Sequence, residues 1–207
     1  LNVHAFTSIG SIFGGGYQAQ MIAAPHVDIN VVKGSHAATA RAEETIANVP
    51  IKKKNESTGI IEDATITLHL PAHEANKIGV IEHIFGGGNL ATIDGDVEVN
   101  IGTDDTAEGA IITGNVYGGG NQAIVTGNTQ VNICAKKGEG DTYESVTPGA
   151  AGVTISGAVF GAGKGLTTTV NNTQIVMGAG AVKKSVYGGG ELGSVEGNTN
   201  ISVMDGT

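Results

Sequence analysis

The sequence predicts an all-β chain, a right-handed parallel β-helix of about six coils with one long loop insertion. Three observations lead there. A unit of apolar residue, aromatic ring and glycine run recurs five times, each copy is followed by a strand-like alternation, and the offset between the two elements is nearly constant.

The first element reads Ile12-Phe13-Gly14-Gly15-Gly16, Ile84-Phe85-Gly86-Gly87-Gly88, Val116-Tyr117-Gly118-Gly119-Gly120, Val159-Phe160-Gly161-Ala162-Gly163 and Val186-Tyr187-Gly188-Gly189-Gly190. The second places Val27, Ile29 and Val31 on one face, then Val97, Val99 and Ile101, Thr129, Val131 and Ile133, Thr173, Ile175 and Met177, and Thr199, Ile201 and Val203. A period of two is that of a strand with one buried face. From Phe85, Tyr117 and Tyr187 the first inward residue follows twelve positions later, at Val97, Thr129 and Thr199. The copies that start at Phe160 and Phe13 are one and two residues longer, a difference that a coil corner absorbs.

Stacked coils would set the five aromatics in one ladder inside the solenoid, at a spacing of about 4.8 Å. Ala64, Ile66, Leu68 and Leu70 alternate in the same way between the first two aromatic copies, and are expected to form a sixth coil without the glycine signature. The glycines serve either a corner of positive φ or a close approach of neighbouring backbones. Composition agrees with a thin core. The 207 residues include 34 glycines and are 40% apolar but only 4% aromatic, too few rings for a broad core and too much apolar residue for a disordered linker.

Residues 1–207 read as one solenoid segment, a fragment of a larger repeat protein. Residues 33–57, with Arg41, Glu43, Glu44 and Lys52-Lys53-Lys54, carry no repeat signature and are expected to project as a loop, with a short helix around Ala38 to Ala47. Shorter excursions are expected from Pro71 to Lys77, Thr103 to Gly109 and Ala135 to Pro148. Long loops on a rigid scaffold are where contacts concentrate.

Charge and residue types narrow the function. A net charge of -9 with no basic face argues against nucleic acid. No stretch is long and apolar enough to span a membrane. Cys134 is the single cysteine, which leaves no disulfide framework or thiolate cluster, and its place after Val131 and Ile133 marks a structural thiol. His69, His73, Glu74 and His83 are the sharpest metal-like cluster, but Pro71 interrupts the single helix that a zincin pattern needs. The residues after the glycine runs, Tyr17, Asn89, Asn121, Lys164 and Glu191, supply no repeated carboxylate for a calcium roll. No metal, cofactor or catalytic residue is therefore assigned.

The units Val116-Tyr117-Gly118-Gly119-Gly120-Asn121 with Gly127-Asn128-Thr129-Gln130-Val131-Asn132-Ile133, and Val186-Tyr187-Gly188-Gly189-Gly190 with Gly197-Asn198-Thr199-Asn200-Ile201, resemble the glycine-rich repeats of very large secreted surface proteins of Gram-negative gut bacteria. Those proteins are described as adhesin-like or autotransporter-like. The resemblance covers the repeats and not residues 33–57, and it carries no catalytic residues. It implies a non-enzymatic adhesin stalk or adhesive surface at the bacterial exterior, with host or microbial surface glycans or proteins as partners. The alternative is a carbohydrate-active enzyme of the parallel β-helix type, a polysaccharide lyase or glycoside hydrolase, which needs two carboxylates in a cleft. Outward carboxylates are few, among them Asp28 and Glu98, with Asp94 and Asp96 at a turn.

Overall fold

The computed structural model describes residues 1–3, 6, 8–32, 42–54, 61–70, 79–104, 107–149 and 152–205. Among them there is no helix, and most strand pairs are parallel. The chain divides into two compact units, one of Leu1–Ser35 with Ile78–Thr207 and the other of His36–Lys77.

In the larger unit the alternating segments form one all-parallel sheet in the order Asn2–Val3, His26–Ile29, Val97–Ile101, Thr129–Ile133, Thr173–Met177, Thr199–Val203. Their register is unbroken: Val27, Val99, Val131, Ile175 and Ile201 lie in one row. A second sheet stacks the aromatic segments, pairing Phe13 with Phe85, Phe85 with Tyr117, Tyr117 with Phe160 and Phe160 with Tyr187. Only Val31–Val32 runs antiparallel there, against Ala107–Ile112. The excursion expected from Thr103 to Gly109 thus ends inside a strand.

The main core joins the two sheets. Val27, Ile29, Val99, Ile101, Val131, Ile133 and Ile175 come from the first, and Ile12, Ile81, Ile84, Ile112, Val116, Ile155 and Val159 from the second. Burying a branched side chain of this kind contributes about 1.5–3 kcal/mol, so a narrow core of repeated Val and Ile suffices without large rings.

Three expectations need correction. First, the aromatics are stacked, with centroids 4.7, 4.6, 5.1 and 5.0 Å apart and planes within 12°, but they form a cluster of their own with Ala158 rather than a part of the main core. Successive strand residues point to opposite faces, and the apolar residue before each ring already holds the inward place. The end member Tyr187 is 48% exposed, whereas Tyr117 is fully buried.

Second, no sixth coil lies between Phe13 and Phe85, because those two rings are in direct contact. The residues read as that coil lie in the strand Ile61–Leu70, which pairs antiparallel with Glu44–Lys54 inside the smaller unit. Alternation identifies a strand but not its partner. Third, Glu44 to Ala47, at the end of the expected helix, belong to this hairpin, so the part of residues 33–57 that is described is mostly strand rather than loop. Residues 33–41 and 55–57, and the excursion from Pro71 to Lys77, lie outside the described residues. The excursion from Ala135 to Pro148 contains a second hairpin, Ala135–Lys137 against Tyr143–Ser145.

The glycine runs follow from the layer spacing. A Cβ on Gly118 would lie 2.2 Å from the Gly161 carbonyl oxygen, and one on Gly86 would lie 2.4 Å from that of Gly118. The first glycine of each of the first four runs therefore sits against the next layer's backbone, where no side chain fits. The left-handed corner falls elsewhere, at Gln18, Leu90, Gln122 and Gly165, whose N–H groups, at least for the first three, donate to the next layer at Asn89, Asn121 and Lys164. Gly118→Ala should thus lower stability by roughly 2–4 kcal/mol in urea unfolding, since backbone overlap cannot relax through a rotamer. Gly10→Ala, at a position with nothing within 4 Å, should stay within about 0.5 kcal/mol.

Candidate functional site

The outward side of the first sheet carries an open concavity. There the register sets His26, Glu98, Gln130, Gln174 and Asn200 in one row across five strands. A second row, Asp96, Asn128, Asn172 and Asn198, lies at the turn before these strands. Together they line an open groove of about 660 Å³. Of these side chains the sequence marks Glu98 as outward and Asp96 as lying at a turn. Parallel in-register pairing aligns them all.

The turn row is a hydrogen-bonded chain. Asp96 Oδ1 accepts from the Asn128 backbone N–H at 2.7 Å and from its Nδ2 at 3.2 Å. Asn128 Oδ1 accepts from Asn172 N–H at 3.2 Å and Nδ2 at 2.8 Å, and Asn172 Oδ1 accepts from Asn198 N–H at 2.8 Å. Each amide or carboxylate caps the layer above it, so these residues are fixed by folding before any ligand arrives. Glu98 lies 2.8 Å from His26 Nδ1, and its Oε1 accepts from Asn132 Nδ2 at 3.1 Å. Asn132 also donates to Asn100 Oδ1 at 2.8 Å, and Asn100 to Asp28 Oδ1 at 2.9 Å. Asp28 and Glu98, read as outward carboxylates, thus act as acceptors within an amide ladder.

The second hairpin folds onto part of this face, where Gln130 Nε2 donates to the Tyr143 hydroxyl at 2.5 Å. Asn132 and Val176, adjacent members of one outward row, are consequently buried. Inward from the groove, Thr129 and Thr173 replace Val97. Their hydroxyls donate to the Gly161 and Gly188 carbonyls at 2.5 and 2.6 Å and so join the floor of the groove to the glycine runs of the following layer. Sequence alone marks these threonines as inward residues, but not their acceptors.

The other candidates separate. His69 pairs with Thr45 across the hairpin of the smaller unit at 3.1 Å, and His83 Nδ1 accepts the Asn115 backbone N–H at 3.0 Å in the larger one. His73 and Glu74 lie outside the described residues. Among the described residues no three potential ligands gather around a metal site, and we expect EDTA to leave the melting temperature unchanged in thermal denaturation, with a loss that calcium restores as the contrary result. Cys134 is fully buried, in the left-handed region at φ 49°, and burial pushes its thiol up to about 12. Such a thiol stays protonated at neutral pH and is not a nucleophile.

Compared with known family models, curated proteins and solved structures, the chain gives no match. Among the described residues no helix is long and apolar enough to cross a membrane.

The aromatic stack carries the one strongly shifted phenol. Burial, aided by the hydrogen bond that Tyr117 donates to Glu191, pushes it from 10.0 to about 12, while a donor at Asn115 Nδ2, 2.9 Å away, acts in the opposite direction. The folded state therefore holds this proton more tightly than the unfolded chain. The resulting stabilisation is complete below pH 10 and disappears as the pH rises toward 12. Ultraviolet titration should show one tyrosine ionising about two units above an ordinary phenol, and Glu191→Gln should bring it down; a Tyr117 that titrates at 10 in the folded protein would contradict this.

Proposed function

We propose that this chain is a segment of a right-handed parallel β-solenoid, and that it serves outside the cell as a non-enzymatic adhesive surface or stalk. The in-register layers and the aromatic stack support the solenoid reading. The groove of about 660 Å³ carries the functional one: its amide and carboxylate groups match the hydroxyl-rich surface of a glycan, and they sit on a scaffold that need not reorganise to bind. Host or microbial surface glycans are the partner class that this chemistry fits best. The sequence-based expectation placed the contact on the insertion, whereas the groove lies on the strands of the larger unit.

A second reading, cleavage of a polysaccharide, is favoured by one observation: Asp96 and Glu98 line the same groove. They are two residues apart, Asp96 at the turn and Glu98 on the strand Val97–Ile101 that follows it. Against it, both already accept hydrogen bonds from neighbouring amides or backbone.

One set of variants tests both readings. Gln130→Ala with Gln174→Ala and Asn200→Ala should reduce retention on a glycan array at least tenfold with unchanged β-type circular dichroism. Replacing residues 36–77 by a short glycine-serine linker should leave retention intact. Binding that survives the triple change and vanishes with the replacement would place the contact on the insertion. Release of reducing ends or unsaturated sugars from a bound glycan, abolished by Asp96→Asn with Glu98→Gln, would establish the enzymatic reading instead.

A further inference from the structure

The groove is long in one direction and short in the other. It crosses five successive layers, from His26 to Asn200, but within any layer it takes in no more than three consecutive residues, such as Asp96, Val97 and Glu98. With strands about 4.8 Å apart and a rise of about 3.3 Å per residue, it extends roughly 19 Å along the stacking axis and roughly 7 Å along the strands. The short direction is closed as well as short. Beyond Gln130 the strand continues to Asn132, which is buried, and Gln130 Nε2 donates both to Asn132 Oδ1 at 3.0 Å and to the Tyr143 hydroxyl of the second hairpin. On the turn side, Asn172 Nδ2 donates to Asn128 Oδ1 and Asn128 Nδ2 to Asp96, so that wall is tied together along the axis.

The lining repeats with the layers. Each internal layer contributes one polar side chain from the turn row and one from the outward row: Asp96 with Glu98, Asn128 with Gln130, and Asn172 with Gln174. The residue between them, Val97, Thr129 or Thr173, is buried and closes the floor. In-register pairing keeps these pairs at a constant spacing. A surface that offers a similar pair of hydrogen-bonding groups at every layer complements a ligand that offers the same hydroxyls at every monomer, and an extended pyranose unit is about as long as a layer is thick.

Resting on the glycan reading above, we propose that the groove takes a linear glycan that runs along the stacking axis, with one sugar unit per layer. The Asn128 and Gln130 pair holds one unit and the Asn172 and Gln174 pair the next. Successive units add to affinity because the fold fixes their subsites before binding. A chain laid along a strand would meet only three residues before reaching the hairpin.

Isothermal titration of the intact chain with β-1,4-linked oligomers of glucose, mannose and N-acetylglucosamine, from dimer to tetramer, tests this. For the sugar that binds, each added unit should tighten binding by about three- to tenfold, the worth of one or two net hydrogen bonds. Gln174→Ala should weaken the tetramer by about the same factor and the dimer little, because a dimer can settle on other layers whereas a tetramer must cross this one. Equal affinity for dimer and tetramer, or a Gln174→Ala loss that is the same at both lengths, would overturn the axial arrangement and leave glycan binding standing. No affinity for any of the oligomers would overturn this inference, and an empty glycan array in addition would overturn the reading it rests on.

Discussion

Close contact between the backbones of successive layers is the constraint on which the rest of this structure depends. Where Gly14, Gly86, Gly118 and Gly161 meet the carbonyl of the following run, a built Cβ would come within 2.1 to 2.4 Å of oxygen. That proximity leaves each layer a single register relative to the next. A slip of one residue would bring side-chain-bearing backbone against a carbonyl and turn every alternating residue to the wrong face. The unbroken rows of the first sheet follow from this.

Once the register is set, like residues stack on like, and modest interactions add along the rows. The five rings form four near-parallel contacts, each contributing about 0.5–1.5 kcal/mol beyond buried area. Threonine hydroxyls reach the glycine carbonyls of the following layer, and asparagine and aspartate at the turns cap the layer above. These short polar side chains satisfy backbone groups that a thin molecule has little apolar mass to bury, consistent with the high cost of unpaired buried donors.

The same stacking produces a surface. Polar residues far apart along the chain become one row in space, and the groove is bounded by two such rows. Its residues are restrained by one another through hydrogen bonds, so the groove is an organised array of donors and acceptors rather than a flexible loop. Such an array suits hydroxyl-rich ligands. The buried Cys134 and His83 contribute nothing to it.

The sequence by itself determined most of the strands and the partnership of the four aromatic copies from Phe85 to Tyr187, because periodicity and motif offset are local and repeat; the offset misaligns the copy at Phe13, since Val27 pairs with Val99 and not with Val97. Val97, Thr129 and Thr173 are buried where the twelve- and thirteen-residue offsets put them. Tertiary structure alone decided what each strand pairs with. Ala64 to Leu70 alternate as well as any other segment, yet they join Glu44–Lys54 in an antiparallel hairpin, and Phe13 stacks directly on Phe85 across the intervening chain. It also decided the face of the aromatics, since the preceding Ile or Val occupies the core side. The groove was invisible in sequence for the same reason: Glu98, Gln130, Gln174 and Asn200 are far apart along the chain, and only parallel pairing in register makes them neighbours.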